Sequence, residues 1–275
     1  RLKDGYLSLD IPESKITLDK NGKPIDIMAY ETNFAHEIIE QFMLTANETV
    51  AERLYWLELP FIYRVHEKPD SDKVKELNKY LFNFGYRIKG KLDDVKPKAF
   101  SQILEDVKGK DEERVVSNLL LRTLKVARYE AENKGHFGIS SKYYCHFTSP
   151  IRRYPDLFIH RVISKYLERM STESNKDKNV KINKAVNDII DENTKAKLEK
   201  QAIKYAESSS ECEQNATKAE RASEDIKKAE YMQDKIGEQY DGIISSITSW
   251  GVFVQLDNTV GGLIRLAEIN DDYYI

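Results

Sequence analysis

Cysteine is scarce in this chain. Its two cysteines in 275 residues, Cys145 and Cys212, show no metal-ligand spacing and fit a reducing compartment. No run of about 18 apolar residues occurs, so the sequence contains no transmembrane helix. The chain opens Arg-Leu-Lys-Asp-Gly, with neither an initiator Met nor the apolar core of a secretory signal. The expectation is a piece of a longer, cytoplasmic protein. A strong overall charge is missing too: 43 Lys and Arg face 46 Asp and Glu, a net −3.

That balance hides an asymmetry. Residues 114–169 hold eleven Lys and Arg against four acids (Glu130, Glu132, Asp156 and Glu168), a local +7 in an acidic chain. Such a block is the electrostatic footprint of a nucleic-acid path, and a solvated helix face would carry the same charge. Hydrophobic residues make up 40%, enough for a buried core, and 275 residues leave room for one large domain or two smaller ones.

Periodicity divides the chain into elements. Residues 5–30 read as short strands, Tyr6–Leu9, Ile16–Leu18 and Ile25–Tyr30, with Asn21-Gly22 as a hairpin signal. Residues 33–57 read as a long amphipathic helix whose apolar stripe is Phe34, Ile38, Ile39, Phe42, Met43, Ala46 and Val50; Glu40 and Asn47 lie off it. Phe61–His66 reads as a strand, and helices follow over 71–83, 97–107 and 111–128. The acidic runs Asp93-Asp94 and Asp111–Glu113 sit at a loop and at a helix start, where the helix dipole favours acids, and take no catalytic role. A further helix covers 157–169, residues 171–179 are polar and expected to be mobile, and 181–234 form one or two long helices rich in Lys, Glu and Ala. From Gly237 the period changes to two, and Tyr240–Ile247, Gly251–Leu256 and Gly261–Ile264 read as strands.

The densest chemistry lies in residues 133–161, NKGHFGISSKYYCHFTSPIRRYPDLFIHR. Pro150 and Pro155 stiffen the backbone on either side of Arg152 and Arg153. Two guanidiniums on a stiff loop, ahead of a helix N-terminus near Pro155, suit a phosphate clamp. Tyr143, Tyr144, Phe147 and Tyr154 are then available to stack on bases. The same residues allow a plainer arrangement, in which Arg153 pairs with Asp156 and the aromatics fill a core.

The run HFTSPIRRYPDL, His146–Leu157, preceded by Asn133-Lys134-Gly135-His136-Phe137-Gly138, resembles the signature of the RNB family, the ribonuclease II and ribonuclease R exoribonucleases. The resemblance covers nearly the whole chain and is weakest over 171–200. It implies 3′→5′ exoribonuclease chemistry that releases nucleoside 5′-monophosphates with Mg²⁺. It also implies that Arg152 contacts the phosphate at the scissile end and stabilises developing charge. Arg153 would bind the neighbouring phosphate or orient the loop, and Tyr154 would stack or shape the end of the channel. Glu40 is implied to lie near a ribose, where a carboxylate accepting from a 2′-OH distinguishes RNA from DNA; the plainer reading is a solvated helix residue. Glu220, in Ala219–Ala222, is similar to an Ala-Glu-Arg element near the channel, or makes an intrahelical pair. Arg64 and His66 resemble a family run; they either touch RNA or are structural, and the structural reading is preferred. Residues 236–275 resemble an S1-type RNA-binding barrel, an OB-fold variant, with Trp250 and Phe253 as stacking platform and Arg265 as a basic contact.

Hydrolysis in this family requires closely spaced aspartates to hold Mg²⁺, and the sequence contains no such cluster. The fold expected is α+β: residues 1–235 as the helix-rich C-terminal part of an RNB catalytic domain, then 236–275 as a truncated S1-type β-barrel. The parent is expected to be a Mg²⁺-dependent, processive exoribonuclease of ribonuclease R type. The chain alone is expected to bind single-stranded RNA without hydrolysing it, to hold no metal, and to pair with the missing N-terminal half. A helix-rich remnant of this kind exposes apolar surface, and the outcomes open to it are instability, self-association or pairing with its missing half. The alternatives are a pure RNA-binding module and a structural domain that touches no RNA.

Overall fold

The computed structural model describes residues 1–8, 13–30, 32–174 and 190–269. In chain order the elements are β1 (Ser14–Leu18), β2 (Pro24–Ala29), α1 (Phe34–Trp56), β3 (Tyr63–Val65), α2 (Ser71–Asn83), α3 (Pro97–Val107), α4 (Glu113–Thr123), β4 (Arg128–Glu130), α5 (Tyr154–Ser174), α6 (Glu192–Gln233), β5 (Ile243–Thr248), β6 (Gly251–Gln255) and β7 (Gly261–Arg265). The α+β expectation holds. Two compact units divide the chain: Arg1–Ser8, Phe34–Ile103 and Thr123–Gln214 form the first, and Leu9–Asn33, Leu104–Arg122 and Asn215–Ile275 the second.

The first unit is built on one apolar core. Ala51 and Leu54 of α1 meet Phe61, Ile62, Tyr63 and Val65 around β3, Phe158, Ile159 and Val162 of α5, and Leu198, Ala202 and Ala206 of α6. β3 and β4 pair antiparallel, Tyr63 against Glu130 and Val65 against Arg128. α2 buries Val74, Leu77 and Leu81, the spacing of one helical face.

In the second unit, β1 and β2 form the hairpin that Asn21-Gly22 signals, Ser14 opposite Ala29. Asp19 Oδ1 closes its turn by accepting from the backbone N–H groups of Asn21 and Lys23, both at 2.8 Å. Gly22 takes φ +80°, which a side chain resists. Lys227 Nζ donates to the Gly22 carbonyl at 2.6 Å, and Lys23 pairs with Asp234 at 2.7 Å, so the hairpin rests on the end of α6. β5, β6 and β7 form a three-stranded antiparallel sheet in that order. Ser14 Oγ and Thr259 Oγ1, 2.7 Å apart, link the hairpin to this sheet.

Several expectations need correction. Residues 6–8 form no strand: Gly5 turns the chain at φ +97°, and Leu7 N–H makes one bond, to the Gly138 carbonyl at 2.9 Å, where a ladder would need a row of them; Leu9 lies outside the described residues. The helix expected over 111–128 ends at Thr123, because Arg128–Glu130 is needed as the partner of β3. α5 starts earlier than expected, at Tyr154, with Pro155 in its first turn, and continues to Ser174. Residues 175–179 of the expected mobile stretch, and 181–189 of the expected long helix, lie outside the described residues. Most of the apolar stripe of α1 is unpacked: Val50 meets the core and Ala46 is half-buried, but the other five residues are exposed. Phe34 is 75% and Phe42 70% exposed, and Ile38, Ile39 and Met43 are exposed with them. The buried residues of α1 are Leu44, Asn47, Ala51 and Leu54. Among the described residues no helix is long and apolar enough to cross a membrane.

Candidate nucleic-acid interface

The loop carrying Arg152 and Arg153 hangs between two helices of the first unit. On the α1 side, Asn47 Oδ1 accepts from the Phe147 backbone N–H at 3.0 Å, and Asn47 Nδ2 donates to the Tyr144 hydroxyl at 3.2 Å. The Cys145 thiol donates to the Asn47 carbonyl at 3.2 Å. On the α5 side, the Ser149 N–H donates to Asp156 Oδ2 at 2.8 Å, and His160 Nε2 lies 3.0 Å from the Phe147 carbonyl. The Phe147 and His160 rings stack at 4.1 Å with 10° between planes. Between these anchors the Ser149 carbonyl accepts from the backbone N–H groups of Arg152, at 3.3 Å, and Arg153, at 3.1 Å.

This tight turn spends backbone groups and leaves the guanidiniums over. Arg152 is exposed and Arg153 half-buried. Among the described residues neither guanidinium makes a hydrogen bond or an ion pair. The Arg153–Asp156 ion pair considered from the sequence does not form; the carboxylate is fully buried and engaged with Ser149. Burial pushes the Asp156 carboxyl up from its ordinary range, while the Ser149 N–H and the two arginine charges pull it back down.

The aromatics split between the two readings. Tyr144 is buried, Phe147 is stacked on His160, and Tyr143 packs on Tyr55 with centroids 4.6 Å apart. These three are spent on packing. Tyr154 remains 42% exposed, with its ring edge against Tyr205. Arg161 lies beside it, with Nη1 3.4 Å from the hydroxyl.

Behind the loop, Arg64 lies over the Tyr129 ring at 4.6 Å and pairs with Glu213 of α6. The Tyr129 hydroxyl and His146 Nδ1 share a hydrogen bond of 2.9 Å. Burial, reinforced by the charges of Arg153 and Arg64, pushes His146 down to about 2; burial, with His66 and Arg64 nearby, pushes His136 down to about 3. His66 is lowered as well, chiefly by burial, and its Nδ1 accepts from the Gly138 N–H at 3.0 Å. Arg64 and His66 thus both have partners within the fold, the arrangement that a structural role requires.

Glu40 stands exposed on α1 and accepts from the Tyr6 hydroxyl at 3.0 Å. The first unit therefore holds Glu40, Arg152, Arg153 and Tyr154; the second holds Glu220, Trp250, Phe253 and Arg265. Glu220 is exposed on α6 and makes no ion pair among the described residues, so the intrahelical pair considered for it is absent. Trp250, 67% exposed, forms the turn between β5 and β6. Phe253 faces Leu263 across the β6–β7 ladder and Gly251 faces Arg265, so the period of two puts Phe253 and Arg265 on one face of the sheet.

Three of the acids set aside in the sequence are engaged with lysines or backbone. Asp94 bonds Lys68 and Lys96, which pull its carboxyl down to about 2; Asp93 pairs with Lys75; Glu113 accepts from the Gly109 N–H. Among the described residues no group of three His, Cys, Asp or Glu side chains is placed to hold a metal ion. These residues do not fit the oxygen cage that Mg²⁺ requires.

Sequence reasoning did not identify Asn47 and Asp156 as the loop's anchors. The available signal for Asn47 was a short polar residue deep inside a long helix, where its competition with the backbone is unfavourable unless another partner holds it.

The family model described as RNB domain matches residues 1–169, and that described as S1 RNA binding domain matches 233–275. Ribonuclease R 1 of Lactococcus lactis is 38% identical over 274 residues, covering 100% of this chain and 31% of that protein. Ribonuclease R of Aquifex aeolicus is 40% identical over 276 residues, covering 100% and 36%. The chain thus spans about a third of the length of these curated relatives. Among solved structures, Mycoplasma genitalium RNase R in complex with ribose methylated single-stranded RNA superposes with a TM-score of 0.87 at 32% identity, covering 100% of this chain and 40% of that one.

Proposed function

This chain belongs to the RNB family, and from that premise we propose that it is the RNA-gripping portion of a Mg²⁺-dependent, processive 3′→5′ exoribonuclease of ribonuclease R type. The observation that carries the reading is the anchored loop with two uncommitted guanidiniums. Among the described residues Arg152 and Arg153 form no ion pair with a carboxylate, so a strand's phosphates meet two uncommitted bidentate donors on a loop whose backbone is already anchored. Arg152 takes the phosphate at the scissile end and stabilises the charge that develops there. Arg153 binds the next phosphate or holds the loop. Exposed Tyr154 stacks at the end of the path, and Glu40 accepts from a ribose 2′-OH. In the second unit, Glu220 lies along the RNA path, while Trp250, Phe253 and Arg265 supply S1-type stacking and charge. The catalytic part covers residues 1–235 and the S1-type part 236–275.

The metal-binding carboxylates belong to another part of the parent, so the chain alone binds single-stranded RNA without shortening it. The exposed apolar residues of α1 face that missing part, and the parent works in the cytoplasm. The Mycoplasma relative, bound to ribose methylated single-stranded RNA, supports the choice of ligand.

The test is fluorescence anisotropy with a labelled oligoadenylate over a salt series. Arg152→Ala is expected to weaken binding by about 10-fold or more, the worth of a hydrogen bond to a charged group. It should also flatten the log Kd against log salt slope by about 0.7, one phosphate contact on a single strand. Unchanged affinity and slope in both Arg152→Ala and Arg153→Ala would overturn the reading.

A further inference from the structure

Asn47 sits near the middle of α1 and is 3% exposed. A buried amide is costly there unless it is hydrogen-bonded. Its side-chain partners, the Tyr144 hydroxyl and the Phe147 N–H, belong to one short segment, and the Asn47 backbone carbonyl accepts from the Cys145 thiol of the same segment. Beyond Phe147 the backbone is anchored again, at Ser149 by Asp156, and then turns into Arg152 and Arg153. The α1 end of the arginine loop therefore hangs on Asn47.

Glu40 lies seven residues earlier on the same helix. Seven residues at about 3.6 per turn return to within about 20° of the same face, about 10.5 Å along the axis. One rigid helix thus carries both the exposed carboxylate and the anchor of the exposed guanidiniums.

We propose that Asn47 is a positioning residue that fixes the spacing between the Glu40 carboxylate and the Arg152–Arg153 loop, so that ribose and phosphate contacts fall in register along one RNA strand. The inference rests on the RNA-binding reading above and acts through Arg152.

The experiment measures oligoadenylate affinity, its salt slope and the melting temperature for the full 275-residue chain and its variants. Asn47→Leu keeps the branched four-heavy-atom outline, at somewhat larger volume, and removes both side-chain hydrogen bonds. It is expected to weaken RNA binding by about 10-fold, the range of one charge-assisted contact, and to flatten the slope by about 0.7. In an Arg152→Ala background the same substitution should add less than about 2-fold, because residues acting as a unit are non-additive. Asn47→Asp keeps the acceptor for Phe147 N–H and can accept from the Tyr144 hydroxyl, so it should recover most of the affinity. Should Asn47→Leu not fold, Tyr144→Phe removes a single hydroxyl contact and should show a loss of about 3-fold with the same non-additivity.

A role in stability alone predicts a lower melting temperature with affinity and slope of the folded protein unchanged, and that result would overturn the proposal. Additive effects of Asn47→Leu and Arg152→Ala would overturn it as well. If Arg152→Ala itself leaves binding unchanged, the RNA reading of the loop falls and takes this proposal with it.

Discussion

Acid should unfold this protein through its histidines before its carboxylates respond. His146 and His136 sit at about 2 and about 3 in the folded chain, chiefly because burial disfavours the charged ring. A histidine in an unfolded chain titrates near 6.5. Below that value the unfolded state binds a proton that the folded state refuses, so stability falls as pH falls. pH 5 lies about 1.5 units below the unfolded value, and each of the two histidines is still neutral in the fold there, which costs about 2 kcal/mol apiece. Together they remove about 4 kcal/mol between pH 7.5 and 5, a large share of a typical net stability of about 5–15 kcal/mol. Carboxylates in unfolded chains titrate near 4, so they contribute little in this window. The assay is urea denaturation at half-unit pH steps. His146→Gln keeps an acceptor for the Tyr129 hydroxyl and deletes one titrating group. Its stability should decline with acid less steeply than that of the unsubstituted chain, with His136 and His66 still resisting protonation in the fold. Identical pH dependence in the two proteins would refute the reasoning.

Other perturbations test the packing around the loop. Asp156→Ala strands the Ser149 N–H and removes a charge-assisted hydrogen bond, and should destabilise by about 2–3 kcal/mol in the same denaturation assay. Ile159, fully buried in the first unit's core, should cost about 2–5 kcal/mol on truncation to alanine, read as a shift in the urea midpoint. Gly5→Ala places a Cβ 2.5 Å from the Lys98 backbone nitrogen at a φ of +97°, so its melting temperature should fall well below that of Gly22→Ala, where φ is +80° but the Cβ meets nothing within 4 Å.

Much of the fold was legible because local patterns and tertiary packing agree. α2 and α3 appear at their expected limits, 71–83 and 97–107, and the buried Val74, Leu77 and Leu81 of α2 form one face. The Asn21-Gly22 hairpin and the three strands after Gly237 followed from turn chemistry and alternation. The packed face of α1 was not legible. Two stripes compete on that helix, and the longer apolar one is exposed from Phe34 to Met43 while the narrower Leu44–Asn47–Ala51–Leu54 stripe meets the core. Periodicity reports that a face exists, and burial depends on what lies opposite.

The same limit applies to the candidate site. Tyr143, Tyr144, Phe147 and Tyr154 are chemically alike as stacking candidates, and their surroundings alone leave Tyr154 exposed. Arg64 and Glu213 stand 149 positions apart, and Asn47 and Phe147 stand 100 apart. No local pattern encodes either pairing. The two arginines were legible because their neighbouring prolines and short spacing are local features. Their freedom from ion pairs was not, since Asp156 could have been spent on Arg153 instead of on Ser149.

The most direct test of the account follows a 5′-labelled oligoadenylate incubated with the purified chain and Mg²⁺, with binding measured in parallel. The account predicts stable binding, weakened by Arg152→Ala, and a labelled strand that keeps its full length. Stepwise shortening from the 3′ end by the purified chain, abolished by Arg152→Ala and therefore not a contaminant, would contradict it and would place a metal-binding carboxylate set within these residues.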